Sequence, residues 1–508
     1  MSRVRGEEQS GFIEVLSNWL PNQPWFPTPR GRWNLTRVGG LRLPAPAGDA
    51  DGGLFLELHI FEVGRPSSDD PRPPTRISVP LALRSRPSAL AGKSAFIGKL
   101  TTGDDEELWV YDGARDRAFL AAWLEMARRR QGSRNGRSRG EAFAGFSEWK
   151  PFDLEMVRRS AESPIPHTTR TLITPHTVDD DDWQNKVAVD ILRRPAEDPH
   201  EGLDALLTLT AGHSTVVPRV LGTIVGAWED RDRSSPELIE WRSGPLGVIR
   251  EAGAEAPDAH SSARATLNAG ESIVATAKQL GHTLGTFHAD LAGSFGAYPQ
   301  SSAQLGAMAV QAQRALSDQW SQVREEFDED EASDLNEVID LMTLQLREAD
   351  EPLRLQAIHG DIGLEHFHRL TPQRWVIAEA GGFAQHSPGL KDVVSVLMSG
   401  ANLVMDTASR TPRPEVDDPE VSAEDPEFVA EDQERRSPAR PAEPVNFGRW
   451  YEELQTAFLK GYRSSEADSA GVDSVFFRAA MLTSALKLFS QWEGRWVFRP
   501  SMLLQVEN

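Results

Sequence analysis

Hydrophobic residues in the first 130 positions alternate with polar ones at strand spacing between two helical segments. Phe12 to Leu20 repeats apolar residues at helical spacing, and residues 115–131 form a second amphipathic stretch. Between them, four short runs alternate with a period of two and are predicted as strands. These runs lie at 54–63, 76–87, 94–100 and 108–113. The pattern predicts a mixed α/β region.

The pattern changes from strands to helices along the rest of the chain. Strands are predicted at 169–175, 186–194 and 216–228, with a helix at 202–213. From residue 265 onward apolar positions recur at i, i+3, i+4 and i+7, which is helical spacing. The predicted helices lie at 272–296, 333–349, 390–406, 446–465 and 474–496. A helical second half is therefore expected.

Composition breaks separate these regions into predicted domains. Residues 1–127 form an N-terminal mixed α/β segment, and 128–148 a basic, glycine-rich flexible linker. Residues 149–245 form a β-rich intermediate part, and 246–508 a helical lobe. Seven prolines and many acidic residues in 411–444 predict a disordered insertion in that lobe.

Charge and cysteine content exclude several classes of function. The formal net charge is −22, which repels nucleic acids and anionic membranes. The absence of cysteine excludes disulfides, thiol catalysis and cysteine-bound zinc. No apolar run has the length of a signal peptide or a membrane helix, so a cytoplasmic protein is expected.

One short motif carries recognisable chemistry. His359-Gly360-Asp361 follows an apolar run and is typical of the catalytic loop of small-molecule kinases, where the aspartate accepts the proton of the acceptor hydroxyl. Several further stretches, in the same order along nearly the whole chain, resemble actinobacterial maltokinases. They include LPNQPWFPTPRGR, LWVYDGARDRAFLAAWLE, AKQLGHTLGTFHADLAGSFG and SPGLKDVVSVLMSGANLV.

This resemblance implies a fold and an activity. It implies a bilobal α+β fold of the protein-kinase-like, aminoglycoside-phosphotransferase-like type, with the maltokinase N-terminal cap over residues 1–127 and a mainly helical C-terminal lobe. It also implies transfer of phosphate from Mg·ATP to the anomeric hydroxyl of maltose, with Asp361 as the base. Maltokinases associate with trehalose synthase in some organisms, so that enzyme or another α-glucan enzyme is an expected partner.

The metal ligands of the family are altered in this sequence. His366 stands where the family has an amide residue, and imidazole is a poor ligand for Mg²⁺. It is interpreted either as a substituted metal ligand or as a histidine that caps or packs. Ala378 replaces the family's metal-binding aspartate, and Glu379 follows one position later. Adjacent strand residues face opposite sides, so Glu379 would replace that aspartate only if the register slips.

The phosphate-binding positions are altered as well. Asp190 occupies the family's lysine position, and one like charge near the phosphates would cost on the order of 4 kcal/mol. Arg193 and Arg194 are interpreted as surface arginines. Two prolines interrupt the expected phosphate loop, whose remaining candidate nucleotide-binding residues are Thr168 and Thr169.

Two main functions remain open. The altered residues favour a pseudokinase with no cofactor, which acts as a binding or regulatory subunit in trehalose or maltose conversion to α-glucan. The alternative is an active ATP-dependent kinase of maltose or an amino sugar, with Mg·ATP as its cofactor and Asp361 as its base. Both hypotheses predict a small sugar as ligand.

Overall fold

The chain divides into two compact units, which we describe separately. The first contains Met1–Ala256 and Arg369–Gly382, and the second contains Pro257–His368 and Phe383–Asn508. The structure, a computed structural model, describes residues 11–27, 33–49, 53–64, 75–88, 93–101, 106–152, 154–161, 163, 167–174, 186–195, 201–235, 237–252, 257–371, 374–378, 384–410 and 446–492. The predicted insertion at 411–444 lies outside these residues.

The first unit is built on one large sheet. Its strands are β1 (Asn34–Leu43), β2 (Phe55–Gly64), β3 (Thr75–Arg84), β4 (Phe96–Thr101), β5 (Glu107–Asp112), β6 (Ser138–Ala142), β7 (Val157–Ala161), β8 (Thr168–Thr174), β9 (Val187–Leu192), β10 (Val220–Glu229) and β11 (Trp241–Glu251). Its helices are α1 (Phe12–Trp19), α2 (Arg117–Arg128) and α3 (Glu201–Ala211). Among the described residues the strand order is β4-β5-β3-β2-β1-β10-β11-β9-β8-β7, with β6 paired to β10.

Alternating strand residues give this sheet a core on each face. Leu56, Leu58 and Ile60 of β2 pack in the same cluster as Phe119 and Trp123 of α2. The opposite-facing Phe61 and Val63 pack with Phe12 and Leu16 of α1. This division follows from the two-residue period of a strand. The apolar pattern of the first 130 residues therefore predicts both helices and four strands correctly.

The sequence pattern did not predict β1, which joins the two halves of the sheet. Gly39 of β1 pairs with Trp228 of β10, and a bulge separates Arg37 from Gly39. A Cβ atom at Gly39 would lie 2.6 Å from the carbonyl oxygen of Ala227. Glycine is required by this close approach of two backbones, and it removes the alternation on which strand prediction depends.

The region predicted as a basic flexible linker, residues 128–148, requires a correction. Ser138–Ala142 forms β6, which pairs antiparallel with β10 from Gly222 to Gly226. Gly140 lies so close to α2 that a Cβ atom there would contact the backbone of Met126 at 2.3 Å. Glycine was interpreted as a sign of mobility, but at this position it permits tight packing.

The second unit is mainly helical, as expected. Its helices are α4 (Ala259–Ala269), α5 (Val274–Phe295), α6 (Ser302–Val323), α7 (Glu329–Glu348), α8 (Leu390–Arg410), α9 (Phe447–Arg463), α10 (Ala470–Asp473) and α11 (Val475–Gln491). A three-stranded sheet is formed by β12 (Ala297–Pro299), β13 (Arg354–Ile358) and β16 (Ala384–Pro388). Between β13 and β16 in the chain lie β14 (Phe367–Thr371) and β15 (Arg374–Ile377), which pair in a separate two-stranded sheet. β15 belongs to the first unit.

Two helices of the second unit pack through reciprocal glycines. A Cβ atom at Gly281 of α5 would overlap the backbone of Phe458, and one at Gly461 of α9 would overlap the backbone of Lys278. The small residues let α5 and α9 approach closely and fix the helix that carries His288. In the described part of the chain, no helix is long and apolar enough to cross a membrane.

The predicted fold class, α+β with an N-terminal sheet-containing cap and a helical C-terminal part, is confirmed by these elements. The finer domain boundaries stay predictions.

Candidate functional site

The loop of the second unit that carries the H-G-D motif is held by one buried aspartate. Asp392, in the first turn of α8, accepts hydrogen bonds from the backbone N–H of His359 at 2.8 Å and of Gly360 at 2.9 Å. Its side chain lies 3.0 Å from Nε2 of His288, whose Nδ1 lies 2.8 Å from the Tyr462 hydroxyl. Gly360 has φ of 88°, a left-handed conformation that glycine adopts without strain.

The environment of Asp392 favours the ionised carboxylate, the form that accepts the hydrogen bonds from His359 and Gly360. Burial opposes its ionisation, but hydrogen bonding to His288 and to the backbone of Gly360 outweighs burial and lowers the pKa of Asp392. An ionised carboxylate can accept several hydrogen bonds at once, so the loop backbone is tied to both α8 and α5.

The anchored loop presents Asp361 to a large cavity. Asp361 is exposed, and it lines a cavity of about 840 Å³ within the second unit. The other polar residues lining this cavity include Glu365, Lys391, Ser395, Asn402 and Lys487. A cavity of this size accommodates a small polar molecule, with carboxylate and amide groups available for its hydroxyls.

His366, the substituted metal-ligand position, is used by the loop itself. Its Nδ1 accepts a hydrogen bond from the backbone N–H of Gly363 at 2.9 Å. Its ring lies edge-on to that of His359, with centroids 4.9 Å apart. These contacts match the interpretation of a histidine that caps and packs. Nδ1 is therefore already occupied, and imidazole nitrogen is in any case a poor ligand for Mg²⁺.

In the first unit, an arginine occupies the end of the strand where the family has its metal-binding aspartate. Ala378 directly follows β15, and its carbonyl oxygen accepts a hydrogen bond from Nη1 of Arg250 at 2.9 Å. The remaining nitrogens of Arg250, Nη2 and Nε, lie 2.9 and 3.2 Å from Oδ2 of Asp190. Glu379, the proposed substitute ligand, lies outside the described residues.

The negative charge of Asp190 is compensated within the protein, which the sequence did not suggest. Asp190 has no exposed surface, and it pairs with Arg170 at 2.8 and 3.0 Å as well as with Arg250. Burial raises the pKa of Asp190, while Arg170 and Ser163 act in the opposite direction. Two guanidinium groups and one carboxylate make a cluster with one net positive charge. We call Arg170, Asp190 and Arg250 the arginine–aspartate cluster.

Arg193 is also not the surface residue that the sequence suggested. Its side chain is fully buried and bonds Asp112 at 2.6 and 2.8 Å and the Thr169 hydroxyl at 2.8 Å. Thr168 and Thr169 both lie on β8, paired with Leu192 and Ile191 of β9. The hydroxyl of Thr169, one of the two candidate nucleotide-binding groups, is therefore already engaged by an arginine of the protein.

At the two altered positions, the described residues do not fit a magnesium ion. They contain no group of three histidine, aspartate or glutamate side chains that could hold a metal. At the first altered position, Nδ1 of His366 already accepts a hydrogen bond from the backbone N–H of Gly363. At the second, the carbonyl oxygen of Ala378 already accepts one from Arg250. In kinase sites Mg²⁺ is held by one or two carboxylates together with phosphate oxygens and water, and neither of these described positions supplies a carboxylate.

The side-chain partners of Asp392 and Asp190 were not predicted from the sequence. Asp392 was recognisable as an acidic residue in the first turn of a predicted helix, and His288 as a polar residue on the buried face of another. No sequence signal pairs Arg250 with Asp190, because the two positions are 60 residues apart and meet only through strand pairing of β9 and β11.

A β-rich unit and a helical unit with an anchored H-G-D loop are the parts of a small-molecule kinase fold. A family model, the maltokinase N-terminal cap domain, matches residues 19–116. Two solved structures match almost the whole length: a glucosamine kinase in complex with glucosamine, ADP and inorganic phosphate, and a glucosamine kinase in another crystal form. Residues 19–116 therefore resemble the maltokinase N-terminal cap domain, and the chain as a whole has the fold of these glucosamine kinases.

The likeness to these structures extends over the whole chain but is distant in sequence. The ligand-bound glucosamine kinase has 17% identity and a TM-score of 0.51, over 97% of this chain and 98% of that chain. The second has 16% identity and a TM-score of 0.52, over 98% of both chains. No curated protein matches this chain. At such identity the match defines the fold and leaves the activity to the residues themselves.

Proposed function

We propose that this protein is a maltokinase-like pseudokinase, which binds a small sugar in the cavity at Asp361 and does not transfer phosphate from Mg·ATP. In this role it would act as a binding or regulatory subunit in the conversion of trehalose or maltose to α-glucan, with trehalose synthase or another α-glucan enzyme as its partner. One observation carries the proposal: Arg250 bonds both Asp190 and the carbonyl of Ala378, at the positions of the family's lysine and metal ligand.

The free energies that a metal ion and a phosphate clamp contribute to catalysis favour the proposal that phosphoryl transfer is lost. Metal neutralisation and phosphate clamping each contribute several kcal/mol to the stability of the transition state. Each 1.36 kcal/mol is about a tenfold change in rate, so losing both contributions costs many orders of magnitude. The net positive charge of the arginine–aspartate cluster does not restore them, since both guanidinium groups are bonded to Asp190.

The sugar-binding part of the proposal depends on the second unit. Asp361, Glu365 and Asn402 line the cavity and can accept or donate hydrogen bonds to hydroxyls. The glucosamine kinase that shares the fold is described with glucosamine bound, which supports an amino sugar or a related sugar as the class of ligand. Because Asp361 is exposed at the cavity, it can bind a hydroxyl without removing its proton.

An active sugar kinase is the second candidate. The intact anchoring of His359 and Gly360 by Asp392 favours it, because a loop that had lost all function would not need this fixed geometry. In that case Asp361 is the base for the acceptor hydroxyl, and the nucleotide would be Mg·ATP.

A transfer assay separates these two candidates. The purified protein is incubated with Mg²⁺, ATP and either maltose or glucosamine, and phosphorylated sugar is measured. We expect no product above the rate without protein. A turnover near 1–100 s⁻¹, the usual range for kinases, would refute the pseudokinase.

Sugar binding is measured separately by calorimetry. Asp361→Asn should weaken the binding of glucosamine or maltose, whereas Asp318→Asn, on an exposed position of α6, should leave it unchanged. Binding that is equal in both variants would reject the cavity at Asp361 as the sugar site. Transfer and binding are therefore tested independently.

A further inference from the structure

A cavity in the first unit, separate from the cavity at Asp361, is lined in part by Arg170 of the arginine–aspartate cluster. It has a volume of about 560 Å³. One wall comes from the cap domain through Trp25, Asp112 and Arg115, and the other from the β7–β8 hairpin through Ser160, His167 and Thr169. A volume between about 300 and 1,000 Å³ is the range of small-molecule sites.

Two buried guanidinium nitrogens around this cavity have no hydrogen-bond partner within the described chain. They are Nη1 of Arg193 and Nε of Arg115. Arg115 lines the cavity. Arg193 has no exposed surface and lies behind the lining, where its side chain contacts three lining residues: Asp112, Thr169 and the ring of Trp25 at 4.7 Å. A buried cationic donor without a partner is costly, so a ligand that accepts from it gains binding free energy.

The charge balance of the cavity favours an anion. Asp112 is the acidic residue among its described lining residues, and it already pairs with Arg193 at 2.6 Å. Arg170 is paired with Asp190. Arg115 forms no ion pair with a described carboxylate, which leaves one positive charge uncompensated in a protein whose net charge is −22.

Burial and the nearby Arg194 lower the pKa of His167, which favours its neutral ring. In the neutral form the ring offers one donor and one acceptor nitrogen.

We propose that this cavity binds a phosphate group, either free or esterified to a small alcohol. Guanidinium nitrogens of Arg115 and Arg193 would donate to the phosphate oxygens, in the charge-assisted geometry that arginine favours. Trp25 and Pro24 supply an apolar wall for the organic part of an ester. Since the walls belong to the cap domain and to the hairpin that carries Thr168 and Thr169, a bound phosphate would tie these two elements together.

Calorimetry on the full-length protein tests this proposal with two probes, inorganic phosphate and glycerol 2-phosphate, at matched ionic strength in sodium chloride. We expect saturable binding of at least one probe, with tighter binding of the ester if the organic part contacts Trp25. Arg115→Gln should weaken this binding at least about tenfold, the loss of one charge-assisted hydrogen bond. Thermal unfolding of the variant establishes that it is folded.

Two matched variants serve as controls. Arg139→Gln removes an exposed arginine of β6 in the same unit, and Lys487→Gln removes a cation of the other cavity. Both should bind the probes as the unmodified protein does. The proposal is overturned if neither probe binds, or if Arg115→Gln binds them as tightly as Arg139→Gln. A loss confined to Lys487→Gln would also overturn it, because it would place the phosphate in the cavity at Asp361.

Discussion

Each unit has a buried aspartate at the centre of its candidate site, and the two aspartates bind different partners. Asp392 of the second unit bonds the backbone of His359 and Gly360 and the ring of His288. Asp190 of the first unit bonds the guanidinium groups of Arg170 and Arg250. Asp392 thus fixes the backbone of the H-G-D loop, whereas Asp190 pairs with the two arginines beside it.

This difference shows that the H-G-D loop of the second unit and the altered strand positions of the first unit depend on separate sets of contacts. The loop that presents Asp361 to the cavity is held by the carboxylate of Asp392, which lies in the same unit. In the first unit, Arg250 joins Asp190 to the carbonyl of Ala378, so the altered positions stabilise one another. A single reversion is therefore not expected to restore a metal site.

The largest predicted effect concerns the arginine–aspartate cluster. Asp190→Ala leaves the buried Arg250 and the partly buried Arg170 without their carboxylate, which should lower the free energy of unfolding by about 3–5 kcal/mol. The matched control replaces all three residues by apolar ones: Asp190→Leu with Arg170→Met and Arg250→Met. This variant should be near neutral, because no buried charge is left unpaired. Urea unfolding measures the unfolding free energy of both variants. Equal losses of stability in the two would contradict the claim that the effect of Asp190→Ala comes from unpaired arginines.

A smaller effect is expected for the loop anchor. Asp392→Asn removes the charge but keeps one acceptor oxygen, so we expect a loss of about 2–3 kcal/mol in the free energy of unfolding. Amide hydrogen exchange at His359 and Gly360 should become faster, while exchange in β9 stays unchanged. Unaltered exchange at those two amides would show that the loop does not depend on Asp392.

Acidification should affect the cap through a third buried carboxylate. Burial alone would raise the pKa of Glu57, but hydrogen bonds with His59 and Arg42 hold the pKa of Glu57 at about 2. A carboxylate with a depressed pKa contributes stability above its unfolded pKa and loses it as pH falls. Between pH 7 and pH 3 this contribution should fall by about 2 kcal/mol.

Glu57→Gln provides the comparison for the acid effect. The variant lacks the titrating group, so its unfolding free energy should vary less between pH 7 and pH 3 than that of the unmodified protein. Parallel curves for the two proteins would mean that other carboxylates, such as Asp392, account for the acid sensitivity.

The smallest effect is expected at His366. His366→Ala removes the acceptor for the backbone N–H of Gly363 and should cost about 1 kcal/mol. Sugar binding at Asp361 should persist. A variant that lost sugar binding but kept its stability would instead place His366 in the sugar site.

The sequence predicted the architecture better than the site. Strands β2, β3, β5 and β9 and helices α2, α5 and α8 follow from their apolar periods, whereas β1 and β6 contain glycines at close backbone contacts. The H-G-D motif is local and was recognised. The electrostatics were not predictable, because Arg170 and Arg250 approach Asp190 only after three strands have paired.

The central claim is that the altered positions no longer hold a divalent ion against a nucleotide. Mn²⁺ replaces Mg²⁺ at oxygen-ligand sites and is paramagnetic, so electron paramagnetic resonance of Mn²⁺ with ATP tests the claim directly. We predict that adding excess protein leaves the spectrum of Mn·ATP unchanged. A spectrum broadened by the protein, and restored by Asp361→Asn, would contradict the account.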